Sequence, residues 1–503
     1  MKILSAKQIR AADQYTIKNK PIKSIDLMEN AASKCVDWLI QNPIENHSSF
    51  YVFCGKGNNG GDGLVIARLL NDLNFDVKCF VVHFTEKASD DFIQNLERLK
   101  NTSTKIYDIN EVNDFLGEVP QSAILIDALL GTGITRPASG LVASIIKAMN
   151  GTQQPIVSID LPSGLYADKA HQKSDIIIKA HITLSFQCPK LNFFLSDYAE
   201  NVGEWCILDI GLMEEFISTQ ETQFYSLTCE YVKKALHKRK KFDHKGTYGK
   251  ATIIAGEKGK FGAAVLSVKS CLRSGVGLCT AHLPEEGNDI LQIGIPEAMT
   301  SINIGKKQLS PLKSYKEFTN TTIGIGPGIG TSNQTVQFFD DLLLHVEKPM
   351  VIDADALNIL AENPHLWSKV PGKSILTPHP KEFSRIVGAM KDGHKNLVAQ
   401  INFSKKHNCY IVLKGAYSSM TTPEGLVYFN TTGNPGMATG GSGDVLTGII
   451  TGLLAQGYTA EKAMLIGVYI HGLAGDLAQN ELGYSAMIAG DIINYMGKAF
   501  LKL

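Results

Sequence analysis

The sequence predicts an α/β protein of two domains, each a parallel sheet held between helical layers. Three observations carry that expectation. Short apolar runs alternate with helical patterns along most of the chain, the alternation lapses once near the middle, and 503 residues exceed what one hydrophobic core ordinarily organises. Strands buried on both faces read as continuous apolar runs, as a parallel sheet covered on both sides requires.

The elements follow in order. From residue 24, Leu27, Met28, Ala31, Ala32, Cys35, Val36, Leu39 and Ile40 recur at helical spacing and line up one face. The runs SFYVFC, DVKCFVV, SAILIDALL, PIVSID, HITLSF and EWCILDI read as strands, with helices between them at Leu64 to Leu73 and Leu141 to Met149. Residues 212–236 are polar and lack a strand rhythm, so the boundary is placed there: one domain over 1–211, a linker, and a second over 237–503. In the second, KATIIAG, VGLCTAHL, TTIGIG, PMVID, KSILTP and CYIVLKG read as strands. Helices are expected at about 262–274, 333–345, 380–388 and 395–407, then a hairpin in YSSMTTPEGLVYFN, then three helices.

Composition narrows the function. The 49 Lys and Arg balance 49 Asp and Glu, so no net field draws the chain to nucleic acid or anionic membrane, and a small-molecule partner is expected. The basic run HKRKKFDHK at 237–245 reads as solvated linker. Nine cysteines, an odd number without a C-x-x-C pair, read as reduced thiols. No apolar run reaches the roughly 18 residues of a membrane span, and a cytoplasmic location is expected.

CGKGNNGGDG at 54–63 places Gly55, Gly57 and Gly60 as G-x-G-x-x-G between a strand and a helix, where open backbone and a helix N-terminus receive an anion. A dinucleotide dehydrogenase also needs an acid at the end of the second strand; here the sequence runs VVHFTE, with His83 and Phe84 at that point. Hydride transfer is therefore disfavoured. Two further strand ends converge in a parallel sheet. One carries Asp127, the Gly131–Gly133 loop and Arg136, and the other Asp160 and Ser163. These oxygens suit a hard cation, although both aspartates are equally open to a loop-capping reading.

The stretches GKGNNGGDG, LIDALLGTG and SIDLPSG closely resemble the epimerase domain of the NAD(P)H-hydrate repair family over about residues 1–211. The resemblance implies a Rossmann-like three-layer sandwich. It implies that Asn58, Asn59, Gly60, Gly61 and Asp62 hold hydrated NADH or NADPH together with Gly131, Thr132, Gly133, Ile134, Thr135, Arg136 and Pro137. It further implies potassium on Asn59, Asp127 and Ser163, with Asp160 facing the hydrated ring as the acid–base group.

In the second half, GNPGMATGGSGDVLTGIITGLLAQG sets Gly440, Gly441 and Gly443 before an amphipathic helix with Asp444 in its first turn. Free N–H groups there suit a transferring phosphoryl group, and the carboxylate suits the attacking hydroxyl. GPGIG at 326–330 leaves backbone uncovered, TPHP holds His379 between prolines, and VLKGAYS puts Lys414 at a strand end. Asp355 in VIDADALN reads as a helix N-cap, and no Walker pattern occurs.

HKGTYGK, GPGIG, TPHP, VLKG and GGSGDVLTG together look like the ribokinase-like dehydratase domain of the same family, a three-layer sandwich, from about residue 237 onward. That resemblance implies that Ala263, Gly328, His379 and Asp444 contact the hydrated cofactor. Lys414, Gly415, Ala416, Tyr417, Ser418 and Gly443 would hold ADP, with Mg2+, ATP being the other candidate nucleotide. Asp160 and Asp444 are then the catalytic residues of an epimerase fused to a dehydratase, in a homo-oligomer. Lys381 after TPHP, Glu257 and Val276 depart from the family pattern. A ribokinase-like small-molecule kinase fused to a non-catalytic nucleotide-binding module is the alternative the residues leave open.

Overall fold

The computed structural model describes residues 1–44, 47–114 and 119–503. The chain divides into two compact units, Lys2–Thr222 and Gln223–Leu503, the latter together with Met1. Both are α/β with largely parallel sheets.

The first unit is built on β1 (Ser49–Cys54), β2 (Asp76–Val82), β3 (Lys105–Ile109), β4 (Ala123–Ala128), β5 (Ile156–Ile159), β6 (Ile182–Phe186) and β7 (Glu204–Leu208). They lie in the order β3, β2, β1, β4, β5, β6, β7, every pair parallel. Strand periodicity of two explains the layers. Phe50, Val52 and Cys54 of β1 enter the core beneath helices Ser24–Gln41 and Asn58–Asp72, while Tyr51 and Phe53 enter the opposite core beneath Gly140–Asn150. Ile124 and Ile126 against Ala123 and Leu125 repeat the division on β4. The strand order reverses between β1 and β4, and a cleft opens at the carboxyl ends of strands at such a point.

The second unit contains β8 (Phe224–Ser226), β9 (Lys250–Ile254), β10 (Leu278–Pro284), β11 (Met299–Asn303), β12 (Thr322–Ile325), β13 (Val351–Ile352), β14 (Ile375–Leu376), β15 (Tyr410–Leu413), β16 (Ser419–Thr421) and β17 (Val427–Phe429). Their order is β11, β10, β9, β12, β13, β14, β15, β16, β17, β8. Only the pairs that β16 makes, with β15 and β17, are antiparallel. On β15, Tyr410 and Val412 face the core of helices Ser442–Ala455 and Ala460–Leu482, whereas Ile411 and Leu413 face that of Asn333–Leu343.

The structure differs from the sequence reading at definite points. Residues 212–236 are ordered and shared between the units, not a linker. Ile217, on helix Glu214–Thr219, packs into the first core, while β8 pairs with β17 and Val232 packs into the second core. The helix after the first glycine loop begins at Asn58, so the loop's asparagines form its first turn. The helix after β13 is Ala354–Glu362 and its N-cap position is Asp353; Asp355 lies inside the first turn. The run at 237–245 packs in part, with His237 stacked on Tyr458 at 3.9 Å and Arg239 over Tyr248 at 4.0 Å. All nine cysteines are free thiols. Among the described residues no helix is long and apolar enough to cross a membrane.

Candidate active sites

In the first unit the cleft is assembled from the ends of β1, β4, β5 and β6. The turn from β1 into helix Asn58–Asp72 is so tight that a Cβ on Gly60 would fall 1.6 Å from the Gly55 carbonyl oxygen. Only glycine closes it. Asn59 and Asp62 are thereby turned inward and buried, while Asn58 stays exposed. Gly131 packs against Asn59, and Arg10 of helix Ala6–Asn19 reaches the Thr132 carbonyl at 3.3 Å. Gly133, Thr135, Arg136 and Pro137 are exposed, with Ile134 half-buried.

Asp127, on β4, is fully buried. Its carboxylate accepts from Ser158 Oγ at 2.7 Å, Ser163 N at 2.8 Å, Ser163 Oγ at 2.5 Å and Leu129 N at 3.3 Å. Burial raises its pKa and these hydrogen bonds pull it back. No basic side chain pairs with it among the described residues. Asn59 Nδ2 donates to the Leu130 carbonyl at 3.1 Å, which also lies 3.2 Å from Ser163 Oγ. Asn59, Asp127 and Ser163 are thus brought together around one oxygen-rich corner.

Asp160 follows β5 with φ of +63°, a conformation unusual outside glycine. Its Oδ1 accepts from Lys190 Nζ at 2.7 Å and from Phe186 N at 3.2 Å. Asp13, on helix Ala6–Asn19, has its pKa pushed up to about 7 by burial and then by the charge of Asp160. Asp62 is raised well above the carboxylate range, by burial first and Asp160 next. Three carboxyl groups are thus gathered at this cleft, two of them with pKa values raised by burial, and environments of this kind are where acid–base chemistry is found. Asp13 and Lys190 lay outside the sequence reading. Lys190, in QCPKLNFF, carries no signal apart from a lysine in an apolar run.

The second cleft is a crest formed by four neighbouring parallel strands, each ending in a functional turn. β12 runs into Gly326–Gly330, β13 into Asp353, β14 into His379 and β15 into Lys414. Gly326 has φ of +131°, and a Cβ there would lie 1.8 Å from the Asp353 carbonyl oxygen. A Cβ on Gly328 would meet Ala263 and Lys260, so the two residues expected at the hydrated cofactor are adjacent. Asp355 holds the loop by accepting from Gly330 N at 2.9 Å.

His379 is a helix cap. Its Nδ1 accepts from Lys381 N and Glu382 N at 3.1 and 3.2 Å, while Glu382 accepts from His379 N at 2.8 Å. The N–H is left on Nε2, which lies 3.3 Å from Glu382 Oε1.

Helix Ser442–Ala455 opens at Gly441, with φ of +92° and no side-chain cap, so first-turn N–H groups remain for an anion. Lys414 Nζ stands at this opening, 3.2 Å from where a Cβ of Gly443 would be, and Asp444 shares the turn. Burial, then the charge of Asp353, pushes Asp444 up to about 7 against the pull of Lys414. Asp353 is buried and accepts from Lys414 at 2.9 Å and from Thr447 Oγ1 at 2.7 Å. Gly415, Ala416, Tyr417 and Ser418 form the turn into β16, with Gly415 N donating to Ser418 Oγ at 3.3 Å.

Two crests of open backbone, each with a perturbed carboxylic acid, define a two-domain α/β enzyme acting on nucleotides. The comparisons sharpen this. Residues 251–498 match the family described as NAD(P)H-hydrate dehydratase, and residues 24–192 that described as YjeF-related protein N-terminus. The bifunctional NAD(P)H-hydrate repair enzyme Nnr of Moorella thermoacetica is 35% identical over 99% of this chain and 96% of its own. That of Escherichia coli is 31% identical over 88% and 83%. A solved ADP/ATP-dependent NAD(P)H-hydrate dehydratase from Bacillus subtilis, co-crystallised with ATP and Mg2+, superposes with a TM-score of 0.50 at 30% identity, covering 55% of this chain and 98% of that one. The chain belongs to the family of bifunctional NAD(P)H-hydrate repair enzymes, with the epimerase domain first and the ribokinase-like dehydratase domain second.

Proposed function

We propose that the first cleft interconverts the R and S forms of hydrated NADH and NADPH, and that the second dehydrates the S form at the expense of ADP. Spontaneous hydration produces both epimers, so a dehydratase that accepts one needs the other converted. In the first site Asn58 to Asp62 and Gly131 to Pro137 hold the dinucleotide, and Asp160 moves a proton at the hydroxyl-bearing ring carbon.

The oxygen corner fits potassium. Among the described residues Asp127 is a buried carboxylate with no basic partner, a placement that is costly without a counter-charge, and Asn59, Ser163 and Asp127 offer hard donors. A bound cation would supply that counter-charge and fix the Gly131 loop.

In the second site the ring hydroxyl gives its proton to Asp444 as its oxygen bonds to the terminal phosphorus of ADP, and AMP leaves. The ring C–O bond then breaks, phosphate departs with that electron pair, and loss of the neighbouring ring proton restores the double bond. Lys414 and the N–H groups of helix Ser442–Ala455 meet the phosphate charge. Among the described residues no ready-made cluster of three metal-ligating side chains occurs. Mg2+ binds through one or two carboxylates plus substrate phosphates. One or two of Asp353, Glu382 and Asp444 would hold it, and it would supply neutralisation of phosphate charge.

The observation that carries this reading is the pairing of Asp444, pushed up to about 7, with an uncapped helix N-terminus and Lys414 in one turn. The test is hydrated NADH with ADP, followed by absorbance and phosphate release. Return of the dihydronicotinamide signal with free phosphate supports repair; a stable phosphorylated product means a small-molecule kinase instead.

A further inference from the structure

Lys190 is the one fully buried lysine among the described residues. It follows β6, one turn beyond Phe186, and its ammonium faces four acceptors: Asp160 Oδ1 at 2.7 Å, Ser185 Oγ at 2.8 Å, and the Phe186 and Cys188 carbonyls, both at 3.1 Å. Three N–H donors among four acceptors leave the group no freedom to turn elsewhere. Burying an ammonium this deeply is costly, so the pairing demands a reason beyond packing.

The reason lies in what it does to Asp160. Lys190 and the Phe186 N–H both engage Oδ1, and Ser185 Oγ, 2.8 Å from the Asp160 carbonyl, ties the backbone at the same point. Oδ2 makes no hydrogen bond among the described residues. One carboxylate oxygen is thus consumed by the strand ends and the other is kept bare. The backbone of Asp160 sits at φ of +63°, a costly conformation that surrounding contacts must impose.

We propose that Lys190 is the positioning residue of the epimerase site, pinning Oδ1 of Asp160 so that Oδ2 alone is presented to the ring carbon. This rests on the reading of Asp160 as the proton-moving group. Lys190 itself touches no substrate, so its removal should slow turnover without weakening binding.

The test uses the full chain. Conversion of the R epimer is followed for the unmodified protein, K190M, K190R, D160N and K190M/D160N, with dehydration of pure S epimer as the internal control of the second unit. K190M is expected to lower epimerase kcat about 100-fold with KM changed less than about threefold. K190R keeps the charge but not the four-acceptor geometry, and recovers about tenfold of that loss. In the D160N background K190M has no further effect, because the lysine acts only through that carboxylate. If K190M does not fold, K190R carries the test: a kcat loss at constant KM supports positioning, and unaltered kcat overturns it. A K190M rate near that of the unmodified protein, or independent losses in the double variant, also overturns the inference while leaving Asp160 in place. Full activity in D160N overturns the reading of Asp160 itself.

Discussion

Asp353 Oδ1 and Lys414 Nζ meet at 2.9 Å, joining the carboxyl ends of β13 and β15 across β14 and directly below the turn that carries Asp444. The bridge sets the local charge: Asp353 raises the Asp444 pKa and Lys414 lowers it. The ammonium is thereby fixed at the mouth of the helix where phosphate is expected, and a residue assigned to nucleotide turns out to be held from behind by a buried acid.

Opposite pH shifts follow from the two partners. A base works only when ionised, so dehydratase kcat/KM should rise with pH through about 7, the value to which Asp444 is pushed. D353N removes a raising charge and should move that limb to lower pH, by on the order of one unit. K414M removes the lowering charge and should move it to higher pH. Profiles of kcat/KM, which report the free enzyme, decide the matter; shifts of the same sign in both variants would mean that another group titrates.

Much of this architecture was legible in the chain. The two-sided strands β1, β4, β9 and β15 announce themselves because both faces enter cores and most positions are apolar. The strands that escaped, β3, β8 and β11, are all edges of their sheets, where one flank lacks a neighbour, and in KIYDI and MTSIN all but the last residue are exposed or half-buried, so no continuous apolar run marks them. The site divided the same way. Glycine turns and strand-end aspartates are local signals. Asp13 and Lys190 matter because they lie near Asp160 from 147 and 30 positions away, as 160 less 13 and 190 less 160 give, and Asp353 because Lys414, 61 positions on, folds onto it. No sequence window contains such pairs.

The acid that serves catalysis should cost stability. A carboxyl whose folded pKa is raised binds its proton more tightly when folded, so its contribution falls as pH climbs from 3.8 through about 7. D444N removes that penalty. At pH 8 the variant's second unit should be more stable by on the order of 1–3 kcal/mol after allowance for partial exposure, an advantage that vanishes near pH 3. Trp367, the sole tryptophan of that unit, reports the transition in urea. Equal stability at pH 8 would contradict the assigned burial.

Two histidines act in the other direction. His282 and His471 are both lowered to about 4, by burial first. The unfolded chain then binds protons that the folded unit refuses, so stability is complete above about 6.5 and is lost as pH falls towards 4. Each accounts for about 3 kcal/mol of that loss. H282F, which keeps a ring against Phe318 and Phe338, should flatten the acid side of a thermal-midpoint profile.

The glycines of the first loop are not equivalent, although G-x-G-x-x-G treats them so. A Cβ on Gly60 collides with the Gly55 carbonyl at 1.6 Å, whereas nothing lies within 4 Å of one on Gly57, whose φ of −91° suits any residue. G60A should abolish epimerase activity and destabilise the first unit by about 3 kcal/mol. G57A should leave that stability within about 0.5 kcal/mol. Thermal unfolding of the two variants side by side checks the contrast.

The oxygen corner around Asp127 yields the last prediction. Its carboxylate is fully buried and among the described residues meets only hydroxyl and backbone donors, and burial pushes its pKa up. A large monovalent ion bound there relieves that penalty, and any ligand of the folded state alone stabilises it, by about 2.7 kcal/mol at a hundredfold excess over Kd. At constant ionic strength, exchanging lithium for potassium should therefore raise the thermal midpoint of the first unit and its epimerase rate together. D127N should lose both responses, because the amide brings no charge to balance. If the midpoint follows ionic strength regardless of which cation is present, the buried carboxylate is satisfied by Ser158, Ser163 and Leu129 alone, and the corner serves the fold rather than an ion.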